Sequence, residues 1–496
     1  MIVAIALVGC AGDRQSDPQS TAPQTIRGVN RVVHWDVAGA STSVGESPIG
    51  VFIEAQLADG SREPARVSDD GTFSIDATPA GPYWLRFVNG KHSREDVYLF
   101  SDATELDLGR DVVGNDGGLA TSLDTQLVVD AGGLSPWQDG DDGDFVIPEL
   151  GYRSSIITFF SANTPITGDT SLADLTYFWL QQPLPASSQG DDTIFVQVRP
   201  AHDDALGLDY DAPVRTFQSA PIAIADADTA RISGTFADPP AFDVPLHWAR
   251  TGFAAQAPAM HPPTCTDELD NEIYWVHAMP GHGARGELSR SFLDPEFGIP
   301  DNGPRVVDDV FTLDTTDLSG TLHVTNPYPA DWLYARYAIS YAISCPVPGA
   351  GVPGNAEAEI GVVSSDLSTT ITPLVGPVSA PTIGGHDLSQ VQTGVGTEPT
   401  ISWTAPAIGT ATAFELHISE VDLSQFGGLM LHEDVELIVP GDVTTIMVPQ
   451  GVLAAGTAYQ IRIRAISRTG QDPRTAPFRS GMPLGYADLF TNYFEP

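Results

Sequence analysis

The densest cluster of potential ligands in this 496-residue chain is Asp139-Gly-Asp-Asp-Gly-Asp144. Four carboxylates, Asp139, Asp141, Asp142 and Asp144, stand in six residues beside glycines that permit tight turning, the ingredients of a Ca²⁺ loop made of hard oxygen donors. Counted from Asp139, the twelfth position is Leu150 where an EF-hand needs a bidentate Glu, and Glu149 falls one place short. The plainer reading is a solvated acidic turn, with calcium as the alternative. His261, Cys265, His277 and His282 form a second set whose His-x3-Cys and His-x4-His spacings superficially suit Zn²⁺. The Pro280-Gly281 turn separates two of the imidazoles, and a disulfide at Cys265 would remove the thiolate, so loop histidines account for the set.

Signatures of catalysis are sparse. The chain has no Gly-x-Ser-x-Gly elbow, no His-Glu-x-x-His, no phosphate-binding loop and no dinucleotide fingerprint. Lys91 is the only lysine, so Schiff-base or Ser-Lys chemistry would depend on that one residue. Paired carboxylates occur throughout, which makes no single pair informative for glycoside hydrolysis. The eight Trp are spread at roughly strand spacing and read as core side chains. A net charge of −41, from 64 acidic and 23 basic residues, opposes binding to nucleic acid and direct adhesion to anionic headgroups.

The N-terminus carries a different chemistry. An apolar run ends in Leu7-Val8-Gly9-Cys10, which resembles the lipobox of a bacterial lipoprotein precursor. The resemblance implies that Cys10 becomes a lipidated mature N-terminus, tethering an extracytoplasmic protein to a membrane of the cell envelope. A signal peptide also needs a positive n-region. No Lys or Arg precedes Cys10, which places the expected true start upstream of Met1. Residues 11–25 are small, polar and Pro-containing, as a flexible tether requires. In the resembled family an Asp after the cysteine is an inner-membrane retention signal; Ala11 stands there and points to the outer membrane.

With Cys10 assigned to lipid, Cys265 and Cys345 remain, and in an oxidising compartment they pair most simply as one disulfide. The alternative is two buried free thiols.

The elements that must position these residues read as strands. With 48 Gly and 40 Pro there is little room for long helices, and period-two runs such as Thr72–Ile75, Thr193–Val198, Thr321–Thr325 and Tyr459–Ala465 alternate between Gly- and Pro-rich turns. The fold expected is all-β, tandem antiparallel β-sandwich domains with few short helices. The helix candidates are Trp248–Ala257 and Ser171–Leu175.

Between Ile26 and Val112, the run Ser68-Asp-Asp-Gly-Thr-Phe-Ser-Ile75 followed by Pro79-Ala-Gly-Pro-Tyr-Trp-Leu-Arg-Phe87 resembles the carboxypeptidase regulatory-like, transthyretin-like β-sandwich family. Its members are mostly structural or adhesive, which implies no active site there. Between Gly376 and Leu484, Pro381, Thr400-Ile-Ser-Trp-Thr-Ala-Pro406 and Leu453-Ala-Ala-Gly-Thr-Ala-Tyr459 resemble a fibronectin type III module. That resemblance implies a core Trp403 and a Tyr459 hydroxyl bonded back to the preceding corner. The longer stretch Val421–Val439 departs from the module and reads as an expanded loop or edge. The middle divides into expected β domains over 113–222 and 223–375, or forms one intertwined sandwich, and residues 485–496 make an aromatic tail expected to dock on a sheet.

The expected function is therefore a non-catalytic, lipid-anchored cell-envelope protein that binds an extracellular protein or glycan or builds the envelope. The competing expectation is an extracellular hydrolase or accessory carbohydrate-binding protein with its site in the central β region.

Overall fold

A computed structural model of the chain describes residues 25–42, 52–88, 96–113, 125–148, 152–155, 161–178, 187–282, 305–307, 316–347, 350–422, 430–479 and 481–496. Cys10, the tether up to residue 24 and Lys91 lie outside the described residues. Its regular secondary structure is almost entirely β-strand, as the turn-rich, period-two sequence requires. One expected helix is present, as Arg250–Ala254 followed by a 3₁₀ turn at Ala257–Ala259.

The other expected helix is a strand. Ser171–Phe178 pairs antiparallel with Gln126–Gly132, and the register slips between Val129 and Ala131. Asp174, at φ 48°, takes up the extra residue. A β-bulge of this kind lets Leu172 and Leu175 both face the core, so an i, i+3 spacing that mimics a helical stripe arises from an irregular strand.

The N-terminal unit follows its sequence closely. The Asp-Gly turn closes the hairpin between Arg66–Val67 and Thr72–Ile75, with Gly71 at φ 76° and the Asp70 carboxylate accepting from the Thr72 backbone N–H at 3.0 Å. Phe73, Ile75, Tyr83, Leu85 and Phe87 share one core. In the C-terminal unit Trp403 packs edge-on against Phe414 with centroids 5.2 Å apart. The Tyr459 hydroxyl accepts from the Ala454 N–H at 3.0 Å, the corner bond expected of a fibronectin-like sandwich.

The centre is intertwined. Strand Thr229–Thr235 pairs in parallel with Gln126–Gly132, so the first central core runs on to Phe236, past residue 222. The sheet of Asp142–Ile147, Ile194–Asp203 and Leu208–Gln218 is buried on both faces: Phe145, Phe195 and Phe217 turn to that core, while Val146, Val196 and Leu208 turn to the core around Trp248 and Tyr337.

Among the described residues the largest sheet has fourteen strands and crosses the expected unit boundaries. The stretch expected as an expanded loop or edge is mostly paired: Met430–Pro440 lies against Ala413–Asp422 on one side and, in parallel, against Asp96–Ser101 of the N-terminal unit on the other. Residues 423–429 lie outside the described residues. The aromatic C-terminal segment enters the same sheet as Gly481–Phe490, between Tyr459–Thr469 and Ala350–Val363. Cys265 and Cys345 are bonded at the end of the ladder joining Thr266–Ala278 to Leu333–Val347, their Cα atoms 4.2 Å apart.

Candidate functional site

The large sheet has two unlike faces. In Ala413–Asp422, Phe414, Leu416 and Ile418 point into the core around Trp403, with Leu437, Val439, Ile461, Ile463 and Ala465 from the neighbouring strands. Glu415, His417 and Ser419 therefore lie on the opposite face, which a lone sandwich would show to water. All three are buried.

Register continues this polar face across the sheet. Glu415 stands opposite Arg464, and Arg464 opposite Asp488. His417 stands between Glu436 and Arg462, and Tyr486 stands between Ile466 and Glu359. The pairs are tight. Arg464 donates through Nε and Nη2 to the two Asp488 oxygens at 2.7 and 2.9 Å, with its guanidinium 3.8 Å above the Tyr486 ring. Arg336 forks Glu359 at 3.0 and 2.5 Å and lies 5.1 Å from the Trp275 ring centroid. The Tyr486 hydroxyl is 2.6 Å from Glu357 Oε2 and 2.9 Å from Glu359 Oε2.

Burial pushes the Glu357 carboxyl up, and the negative Glu359 beside it pushes the same way. Burial also pushes the Tyr486 hydroxyl well up. Glu415 goes the other way: desolvation alone would raise it, but His417 and Arg468 outweigh that and hold it down at about 2. Burial lowers Arg468 to about 10, with Glu415 opposing. The belt thus combines one carboxyl shifted towards its acid form, Glu357, with one shifted the other way, Glu415. Its forks hold strands together through charge-assisted bonds.

None of these belt residues stands out in the sequence. Their signal is charge at alternate positions, Glu357/Glu359, Glu415/His417 and Arg462/Arg464, which in an antiparallel strand reads as a solvated outer face.

The residues that the sequence did single out are placed as follows. Asp141 is turned inward, its Oδ1 accepting from Arg199 Nε at 2.7 Å and its Oδ2 from Arg199 Nη2 at 2.7 Å, Gln197 Nε2 at 2.8 Å and the Gln138 N–H at 3.0 Å. Asp142 accepts from the Gly143 N–H, Asp139 is exposed and Asp144 is buried. Among the described residues the set of three or more donors that converges is Glu415, His417 and Glu436; the Asp139–Asp144 loop is not such a set. His261 lies 3.4 Å from Asp267, while His277 is fully buried and stacked on Tyr334 at 4.9 Å. Cys265 is in the disulfide, so its thiolate is not available to the His261, Cys265, His277 and His282 set that the spacing superficially suggested.

No protein-family model matches the chain, and no curated protein matches its sequence. Among solved structures, a two-domain fibronectin type III segment of chicken tenascin is 12% identical and covers 46% of this chain and 93% of its own, with a TM-score of 0.13. The three fibronectin domains of chicken CNTN1 are 9% identical, covering 71% of this chain and 88% of their own at a TM-score of 0.14. The pilus adhesin SpaC of Lactobacillus rhamnosus GG is 9% identical, covering 84% of this chain and 43% of its own at 0.15. At such scores these likenesses carry no argument about activity. The all-β fold class rests on the strands themselves.

Proposed function

We propose that this chain is a non-catalytic cell-envelope protein, lipid-anchored through Cys10, whose β-sandwich units act together as one stiff element for binding or for envelope architecture. The observation that carries this reading is the joint between the N-terminal and C-terminal units. Val435–Ile438 pairs in parallel with Asp96–Leu99, and Arg479 of the C-terminal unit binds Asp111 at 2.6 Å, Asp107 at 3.2 Å and the Arg31 carbonyl at 2.7 Å. Backbone ladders and charge-assisted bonds across a joint resist bending, which suits a spacer or scaffold better than loosely strung modules. The carboxypeptidase regulatory-like and fibronectin-like readings of the two end units support the same role. The acidic surface favours an extracellular protein or glycan partner over nucleic acid.

Mass spectrometry of the mature N-terminus from membrane fractions tests the anchor. A diacylated or triacylated Cys10, with a Cys10→Ser variant released to the soluble fraction, is the expected result. An unmodified chain retaining Met1 overturns the anchor.

One observation favours the competing hydrolase: Glu357 is held towards its acid form beside the anionic Glu359, an arrangement that glycoside hydrolysis uses. Glu359, however, is engaged by Arg336 on both oxygens, which lowers its nucleophilicity. Polysaccharide hydrolysis by the wild type that disappears in Glu357→Gln would establish the hydrolase; no turnover from either protein favours the scaffold.

A further inference from the structure

We propose that Glu415, His417 and Glu436 bind a first-row divalent transition metal of the Zn²⁺ class, as a structural staple inside the large sheet. Glu415 and His417 are two residues apart on Ala413–Asp422 and so share a face, and Glu436 stands directly opposite His417 on Met430–Pro440. One ligand atom from each lies within 4.8 Å of the other two, and every one of these residues is more than nine-tenths buried.

The spacing inside this cluster differs from the rest of the belt. Arg336–Glu359 and Arg464–Asp488 close to between 2.5 and 3.0 Å. Glu415 instead lies farther from its neighbours, Oε2 3.8 Å from His417 Nε2 and Oε1 3.8 Å from Arg468 Nη2. A neutral imidazole nitrogen and a carboxylate oxygen are both electron-pair donors, and a cation between them satisfies both. The 3.8 Å between Glu415 Oε2 and His417 Nε2 is close to what an ion between donors requires: with metal–ligand bonds of ~2.0–2.2 Å, tetrahedral donors stand about 3.4 Å apart. Small side-chain rotations would close the remaining gap.

The donor set selects the metal. One imidazole nitrogen and two carboxylates suit Zn²⁺ and its neighbours, whereas Ca²⁺ and Mg²⁺ prefer oxygen alone. The two glutamates supply two negative charges. Arg468 offsets one of them through Glu415 Oε1, which leaves Oε2 to face His417 and the metal. On the neighbouring strand Arg464 is already committed to Asp488, and Arg462 stands opposite His417. A metal here would tie Met430–Pro440, the strand that carries the joint to Asp96–Ser101, to Ala413–Asp422.

The test uses the full chain, stripped with chelator and dialysed against Zn²⁺. One bound equivalent is expected by elemental analysis, with a thermal midpoint raised by several degrees. Both should be lost in His417→Gln and kept in His323→Gln, whose imidazole belongs to an exposed pair with Asp243. X-ray absorption of the zinc-loaded wild type needs no variant and should report a shell of one imidazole nitrogen with oxygen neighbours. No stoichiometric zinc in the wild type, retention in a folded His417→Gln, loss in His323→Gln, or a shell without imidazole would each overturn the proposal.

Discussion

Arg464 and Asp488 face each other on neighbouring antiparallel strands, and the guanidinium covers both carboxylate oxygens while its Cζ lies 3.8 Å from the Tyr486 ring centroid. The Asp488 side chain has no solvent exposure and that of Arg464 has 17%, so neither charge would be well hydrated without the other. Removing one partner strands a buried charge, a loss of ~3–5 kcal/mol, whereas replacing both by apolar residues of similar volume is often neutral or better. Asp488→Leu is therefore expected to destabilise by that amount, and the double variant Asp488→Leu/Arg464→Met to recover most of it. Urea denaturation of the wild type, both singles and the double checks this; additive losses would show that the pair is not coupled.

Glu357 makes stability depend on pH in a defined direction. Its folded-state pKa lies above the unfolded one, through burial and then the charge of Glu359, so the native state binds the proton more tightly. That advantage is fully present below the unfolded value of about 4.3 and is lost as pH rises through the folded value. Glu357→Gln keeps a neutral group beside the Tyr486 hydroxyl. Chemical denaturation between pH 4 and pH 8 should find a flatter profile for the variant and a smaller deficit, or a gain, at the alkaline end.

Much of the fold was legible from local chemistry. Asp70-Gly71 specifies a hairpin whatever surrounds it, Tyr459 lies five residues beyond the corner to which it bonds, and Cys265 and Cys345 had each other as partners once Cys10 was assigned elsewhere. What was not legible depends on contacts distant in sequence. The alternation of Glu415 and His417 with Phe414, Leu416 and Ile418 fixes which residues share a face. It carries no information about whether the second face is covered, so a buried ionic belt and a wet surface have the same pattern. The pairing of Val435–Ile438 with Asp96–Leu99 joins strands more than 300 residues apart, and no turn or motif announces it. Leu172 and Leu175 misled for a local reason, the bulge at Asp174.

Asp141 distinguishes a structural role from the calcium that was the alternative reading of its loop. Arg199 holds its carboxyl below the usual range; burial works against this, but the guanidinium, the Gln138 N–H and the Gln197 amide together prevail. Asp141→Ala leaves the Arg199 guanidinium and the Gln197 amide without their acceptor and should cost ~3 kcal/mol. Millimolar Ca²⁺ should leave the wild-type thermal midpoint unchanged, because binding would require Asp141 to leave Arg199. A Ca²⁺-dependent rise that Asp141→Ala or Asp139→Asn abolishes would restore the calcium loop.

Cys265 and Cys345 close a loop of sequence separation 80. Their strands are already paired along Thr266–Ala278 and Leu333–Val347, so the native contacts do not need the bond in order to form. By loop-closure entropy the crosslink acts on the unfolded chain, contributing ~4 kcal/mol. Cys265→Ser/Cys345→Ala should therefore fold with an unchanged far-ultraviolet spectrum and unfold at markedly lower denaturant concentration. Its denaturant slope should also steepen, because an uncrosslinked chain exposes more surface on unfolding. Free thiols titrated in the unfolded, non-reduced wild type check the premise directly: two reactive thiols from these positions would mean that the bond does not form, and variant and wild type would then differ only by the loss of two small buried side chains.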